Sequence, residues 1–151
     1  MRRLQALCLA VCAAAAVAVG GCGEGGAQSG ATVSVYVVAP LCQEARREVD
    51  DAGRRAGDLK VRMLCQRQVE DGGQADLALA GVAARRATED SSSVAFLVAP
   101  GPAAPFTRSI IEAADVAWVE TDRAAAPVGR VLRALEGDGD SPREAVLDEV
   151  G

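Results

Sequence analysis

Apolar residues fall along this chain in two rhythms, one of period two and one of period near 3.6, and the two alternate. Residues 32–39 (TVSVYVVA) form a β-branched run closed by Pro40. From 41 to 57, Leu41, Ala45, Val49, Ala52 and Ala56 recur on one helical stripe. The opposite face pairs Asp50 with Arg54 and Asp51 with Arg55 at the favourable i,i+4 spacing. Residues 59–66 (LKVRMLCQ) set Leu59, Val61, Met63 and Cys65 against Lys60, Arg62, Leu64 and Gln66, and one wet face predicts an edge strand. After a loop holding Glu70-Asp71-Gly72-Gly73, an alanine-rich helix is predicted from Ala75 to Glu89. Residues 93–99 (SVAFLVA) have no polar face beyond Ser93 and predict a strand covered on both sides.

The turn Pro100-Gly101-Pro102 leads to a third helix, Pro105 to Ala114, with Phe106, Ile110 and Ala114 expected inward. Residues 116–121 (VAWVET) make a fourth strand. A fourth helix starts at Pro127, buries Val128, Val131, Leu132 and Leu135, and stops at Gly137. Ser141-Pro142-Arg143-Glu144 is a capping box opening a last helix with Val146, Leu147 and Val150 inward. Strands alternating with helices predict an α/β fold: three layers around a mostly parallel four-stranded sheet. A half-wet second strand beside covered first and third strands predicts the order 2-1-3-4. Ligands in such sheets bind beyond the carboxyl ends of the strands at the switch point, here lined by residues 39–42 and 99–105.

The amino terminus changes where this fold works. Arg2 and Arg3 precede an apolar run from Leu4 to Val19, followed by Gly20-Gly21-Cys22. That order resembles a bacterial lipoprotein signal peptide, which implies that the thiol of Cys22 is lipidated, that residues 1–21 are removed, and that the new amino terminus is acylated. The run is at the short limit for crossing a bilayer about 30 Å thick, and no basic stop-transfer cluster follows. The organisation expected is a leader over 1–21, a glycine-rich tether over 22–31 and one α/β lobe over 32–151. The protein then works outside the cytoplasm, held to the cell membrane by its lipid anchor. Losing the leader removes two arginines and no acid, moving the formal charge from −5 to −7. Such an acidic charge argues against nucleic acid as a partner and against adhesion to anionic headgroups.

Chemistry is restricted by inventory. The chain has no histidine, which excludes imidazole-activated nucleophiles and histidine metal sites. No catalytic residue, no metal and no cofactor are expected. Cys8 and Cys12 leave with the leader, so Cys42 and Cys65 remain as an even pair in an oxidising compartment. Both end neighbouring strands about 4.8 Å apart, where a disulfide is the default and two buried free thiols the alternative.

Val33-Ser34-Val35-Tyr36-Val37-Val38-Ala39-Pro40-Leu41 resembles the opening strand of type 1 periplasmic binding proteins, the branched-chain amino acid receptors of ABC transporters. Residues 82–91 and the strand at 93–98 are similar to the next unit of that family, and 128–150 to its returning carboxy-terminal helices. The resemblance implies a solute-binding protein for an amino acid or small polar metabolite, working with a permease. Family members have two lobes, whereas here Arg123 to Ala126 join one lobe straight to the returning helices. The residues it would assign to the ligand are Thr107 and Thr121, with backbone groups at Ala99 and Gly101. A second expectation is an interaction module that self-associates or docks on a partner and binds no solute.

Overall fold

The computed structural model describes residues 30–67, 73–137 and 141–150. The leader, most of the tether and the acidic loop at 70–72 lie outside the described residues. The elements are β1 (Thr32–Val38), α1 (Cys42–Asp51), β2 (Arg55–Ala56), β3 (Leu59–Gln66), α2 (Gln74–Glu89), β4 (Ser93–Val98), α3 (Ala103–Ile111), β5 (Ala117–Glu120), α4 (Ala125–Glu136) and α5 (Pro142–Val150).

The architecture is α/β, with a mostly parallel sheet of five strands in the order β2-β3-β1-β4-β5. The expected sheet had four strands. The added one is β2, two residues antiparallel to the start of β3, pairing Arg55 with Lys60 and Ala56 with Leu59. It arises because the first helix stops at Asp51 rather than running to 57. Gly53 (φ +65°) and Arg54 (φ 57°) both take left-handed backbone, which an α-helix cannot continue through. Ala56 is buried, yet as part of the sheet edge rather than of a helical stripe.

Two separate cores flank the sheet. On one face Val33, Val35 and Val37 of β1 meet Ala45 and Val49 of α1, Val128, Val131 and Leu135 of α4, and Val146 of α5. On the other, Tyr36, Val38, Phe96 and Val98 meet Ala80, Ala83, Ala84 and Ala87 of α2 and Ala104 and Ile111 of α3. The alternation along β1 thus feeds both layers, as period-two geometry requires. The alanine face of α2 lets that helix lie close to the sheet, and the bulk comes from Phe96, fully buried beneath it. Burying such a ring favours folding by about 1.5–3 kcal/mol.

Helix α3 departs from its expected phase. Ala104, Thr107 and Ile111 are its buried residues, Ile110 and Ala114 are half-buried, and Phe106 is 40% exposed. The helix begins two residues earlier than expected, directly after Pro102, and with Thr107 inward Phe106 lies over Gly81 of α2. In α5 one half of the capping box is present, the Glu144 N–H donating to Ser141 Oγ at 3.4 Å.

Candidate functional site

The switch point lies where β1 and β4, neighbours in the sheet, send their chains to opposite faces. Four residues were expected to serve a ligand there. Ala99 is half-buried at the end of β4, and Gly101 is exposed in the following turn with φ +147°, a conformation that glycine alone adopts without strain. Thr107 is fully buried. Its hydroxyl donates to the carbonyls of Ala103 (2.8 Å) and Ala104 (3.1 Å) and accepts from the indole N–H of Trp118 (3.3 Å). Thr121 closes its own turn, donating to the Arg123 carbonyl at 2.7 Å and accepting from the Arg123 N–H at 3.2 Å. Each hydroxyl is therefore committed to nearby backbone or to the indole.

A third polar group, next to the start of α1, is also engaged. The Glu44 carboxylate, carried by α1, accepts the Ala124 N–H at 2.8 Å where α4 begins. The start of a helix is where backbone N–H groups and the helix dipole favour an anion. Here the chain's own carboxylate takes that place. Sequence reasoning missed Glu44, because its partner is 80 residues away and no local pattern marks the pair.

Beside the switch point, Cys42 and Cys65 are joined in a disulfide with Cα atoms 5.6 Å apart. The register explains the proximity: Val37 of β1 pairs with Cys65 of β3, and α1 brings Cys42 back over the same strand ends. The bond ties the first crossover to the carboxyl end of β3. Cys22, expected to carry lipid, lies outside the described residues.

Two open volumes lie elsewhere. A cleft of about 700 Å³ lies at the outer edge of β3, beyond the short reach of β2, between that edge and α1. Arg46, Arg54, Arg55, Lys60 and Arg62 line it, with Asp50 as the one acid. A smaller recess of about 190 Å³ opens on the α2 side beside Tyr36, Gln66 and Arg86. Neither contains Ala99, Gly101, Thr107 or Thr121.

At the amino ends of the strands a polar cluster is assembled. Asp90 accepts from the N–H of Ser92 (2.9 Å), its hydroxyl (2.6 Å), the Tyr36 phenol (3.1 Å) and Arg62 (3.3 Å). Burial pushes the Asp90 carboxyl up, but the hydrogen bonds from Ser92 and Tyr36 outweigh it and hold the group below its ordinary value. Tyr36 is pushed up, first by burial and then by its bond to Asp90. The Arg62 guanidinium also donates to Ser34 Oγ at 2.9 Å. This cluster joins β1, β3 and the α2–β4 turn, and its groups satisfy one another.

No group of three or more histidine, cysteine, aspartate or glutamate side chains is arranged to hold a metal among the described residues. No helix among them is long and apolar enough to cross a membrane. No known protein family, curated protein or solved structure matches this chain.

Proposed function

We propose that the chain is a lipid-anchored, extracytoplasmic module that acts by docking, without catalysis and without retaining a small solute. Its lobe is read as one built on the plan of type 1 binding proteins. The carrying observation is that the groups at the switch point are already engaged: Thr107 and Thr121 with their own backbone, and Glu44 with the amide at the start of α4. A solute with a carboxylate and an ammonium needs convergent donors and acceptors there. This crevice has its two hydroxyls held in internal bonds, and the carboxylate that α1 carries is spent on the start of α4. The disulfide supports the compartment, since such bonds persist where thiols are not kept reduced.

The test pairs two measurements on the purified protein. Melting is followed with each amino acid and with small polar metabolites at millimolar concentration, and light scattering reports mass and association. The docking reading expects no melting rise with any solute. A reproducible rise of several degrees with one amino acid, abolished by Thr121→Ala, would restore the receptor reading and remove ours.

A further inference from the structure

The net charge of the chain hides a local reversal. Five cationic side chains line the cleft at the edge of β3 against one acid, Asp50. Asp50 is paired with Arg54 at 2.7 Å, and Arg62 is drawn toward Asp90. Arg46, Arg55 and Lys60 are exposed and form no ion pair among the described residues. Three unneutralised cations thus share one concave face of a molecule that is acidic as a whole.

The position of the cleft says what it meets. Thr32, the first residue of β1, is part of its lining. Just before it, the chain is pinned to the same rim: Gly30 N–H donates to the Asp58 carbonyl at 3.1 Å, and Lys60 N–H to that of Ala31 at 2.8 Å. The polypeptide coming from Cys22 therefore enters the fold at the cleft. Nine residue steps from Cys22 to Ala31 reach at most about 30 Å. A lipid on Cys22 confines this rim, more than any other part of the lobe, to the neighbourhood of the bilayer. Attraction of Lys and Arg to anionic lipid acts only within about one Debye length, so a cationic face held at the tether root can use it.

We infer that the Arg46–Arg55–Lys60 cleft is the face on which the anchored lobe lies against the membrane, its guanidinium and ammonium groups holding the phosphates of anionic headgroups. This rests on the lipid-anchored reading and names the partner of the docking module. The rest of the acidic surface is repelled from the same headgroups, so the contact also sets the orientation of the lobe. The acyl chains on Cys22 supply the attachment itself, and the cationic patch adds a preferred face to it.

Lys60 is the chain's one lysine and serves as its own reporter. The full lipoprotein is reconstituted in phosphatidylcholine vesicles with and without about 30% phosphatidylglycerol, and amine modification at Lys60 is timed by peptide mass. With three cations at the surface, the anionic vesicles should slow modification about fivefold or more. About 1 M salt, which shortens the Debye length to about 3 Å, should abolish the slowing. R46Q/R55Q, both exposed positions, should lose most of the protection while keeping the reporter. Equal rates on both vesicles, or equal protection in the double variant, would overturn the docking face while leaving the anchor intact. The same mass measurement reads the Cys22 peptide, and an unlipidated cysteine there would remove the anchor and this inference together.

Discussion

The indole N–H of Trp118 on β5 donates to the hydroxyl of Thr107 on α3 at 3.3 Å, and that hydroxyl in turn donates to the carbonyls one turn back. A threonine that resembled a ligand group is thus a strut between a helix and the sheet edge. Thr107→Val keeps the shape and removes the acceptor, leaving the half-buried indole N–H without it. The expected loss is about 1–2 kcal/mol of stability, the cost of an unsatisfied donor. Urea unfolding followed by the emission of Trp118, the chain's only tryptophan, measures it, and Thr107→Ser should recover part of the loss.

The Asp90 cluster predicts both limbs of a pH profile. The folded carboxyl lies below its ordinary 3.8, so the stability it contributes is in place above that value and is lost as pH falls through the lower folded value. The folded Tyr36 phenol lies above its ordinary 10.0, so its contribution is complete below 10.0 and is lost as pH rises through the higher folded value. Melting temperatures taken across the acidic and alkaline ranges should show both declines. Asp90→Asn should flatten the acidic limb and cost about 1–3 kcal/mol at neutral pH; Tyr36→Phe should flatten the alkaline limb and, by removing one donor to Asp90, shrink the acidic one without abolishing it.

Removing the disulfide opens a loop with a sequence separation of 23. Cys42→Ser/Cys65→Ser should therefore lower stability by about 3 kcal/mol, through the freedom regained by the unfolded chain. Calorimetry of the variant against the unreduced protein measures the difference. An unchanged melting temperature would mean that the crossover is held by packing alone.

Gly81 and Phe106 form a coupled pair. A Cβ added at Gly81 would come within 2.6 Å of the Phe106 ring edge, while alanine is otherwise favoured in a helix by about 1 kcal/mol. Gly81→Ala in the natural background should be neutral or destabilising, because the ring must move. In a Phe106→Ala background the same change should stabilise by about 1 kcal/mol. A double-mutant cycle on denaturation midpoints reads the coupling directly.

The strands were legible because their signals are local. The wholly apolar Val94–Val98 is buried from both sides, and Lys60 and Arg62 mark the wet face of β3. Helix limits were less legible. The glycine at 53 was a stop signal after Asp51, but the stripe continued through Ala52 and Ala56 and masked it. The phase of α3 depended on a partner across the fold, since Thr107 is drawn inward by an indole eleven residues on. The candidate crevice failed to assemble for the same reason. Thr107, Thr121 and Glu44 all have hydrogen-bonding capacity that a sequence reads as available, and only the folded chain reveals that Trp118, Arg123 and Ala124 use it. The cationic cleft was obscured by summation, because a net charge carries no positions.

Arg143, in the first turn of α5, reaches back to the carbonyls of Ser93 (2.7 Å) and Asp90 (2.9 Å), while Val146 on the same helix is fully buried against the sheet. The inner strand β4 is therefore roofed by a segment synthesised some fifty positions later. Any chain that emerges amino end first carries an unsealed seam over β4 until that latecomer arrives.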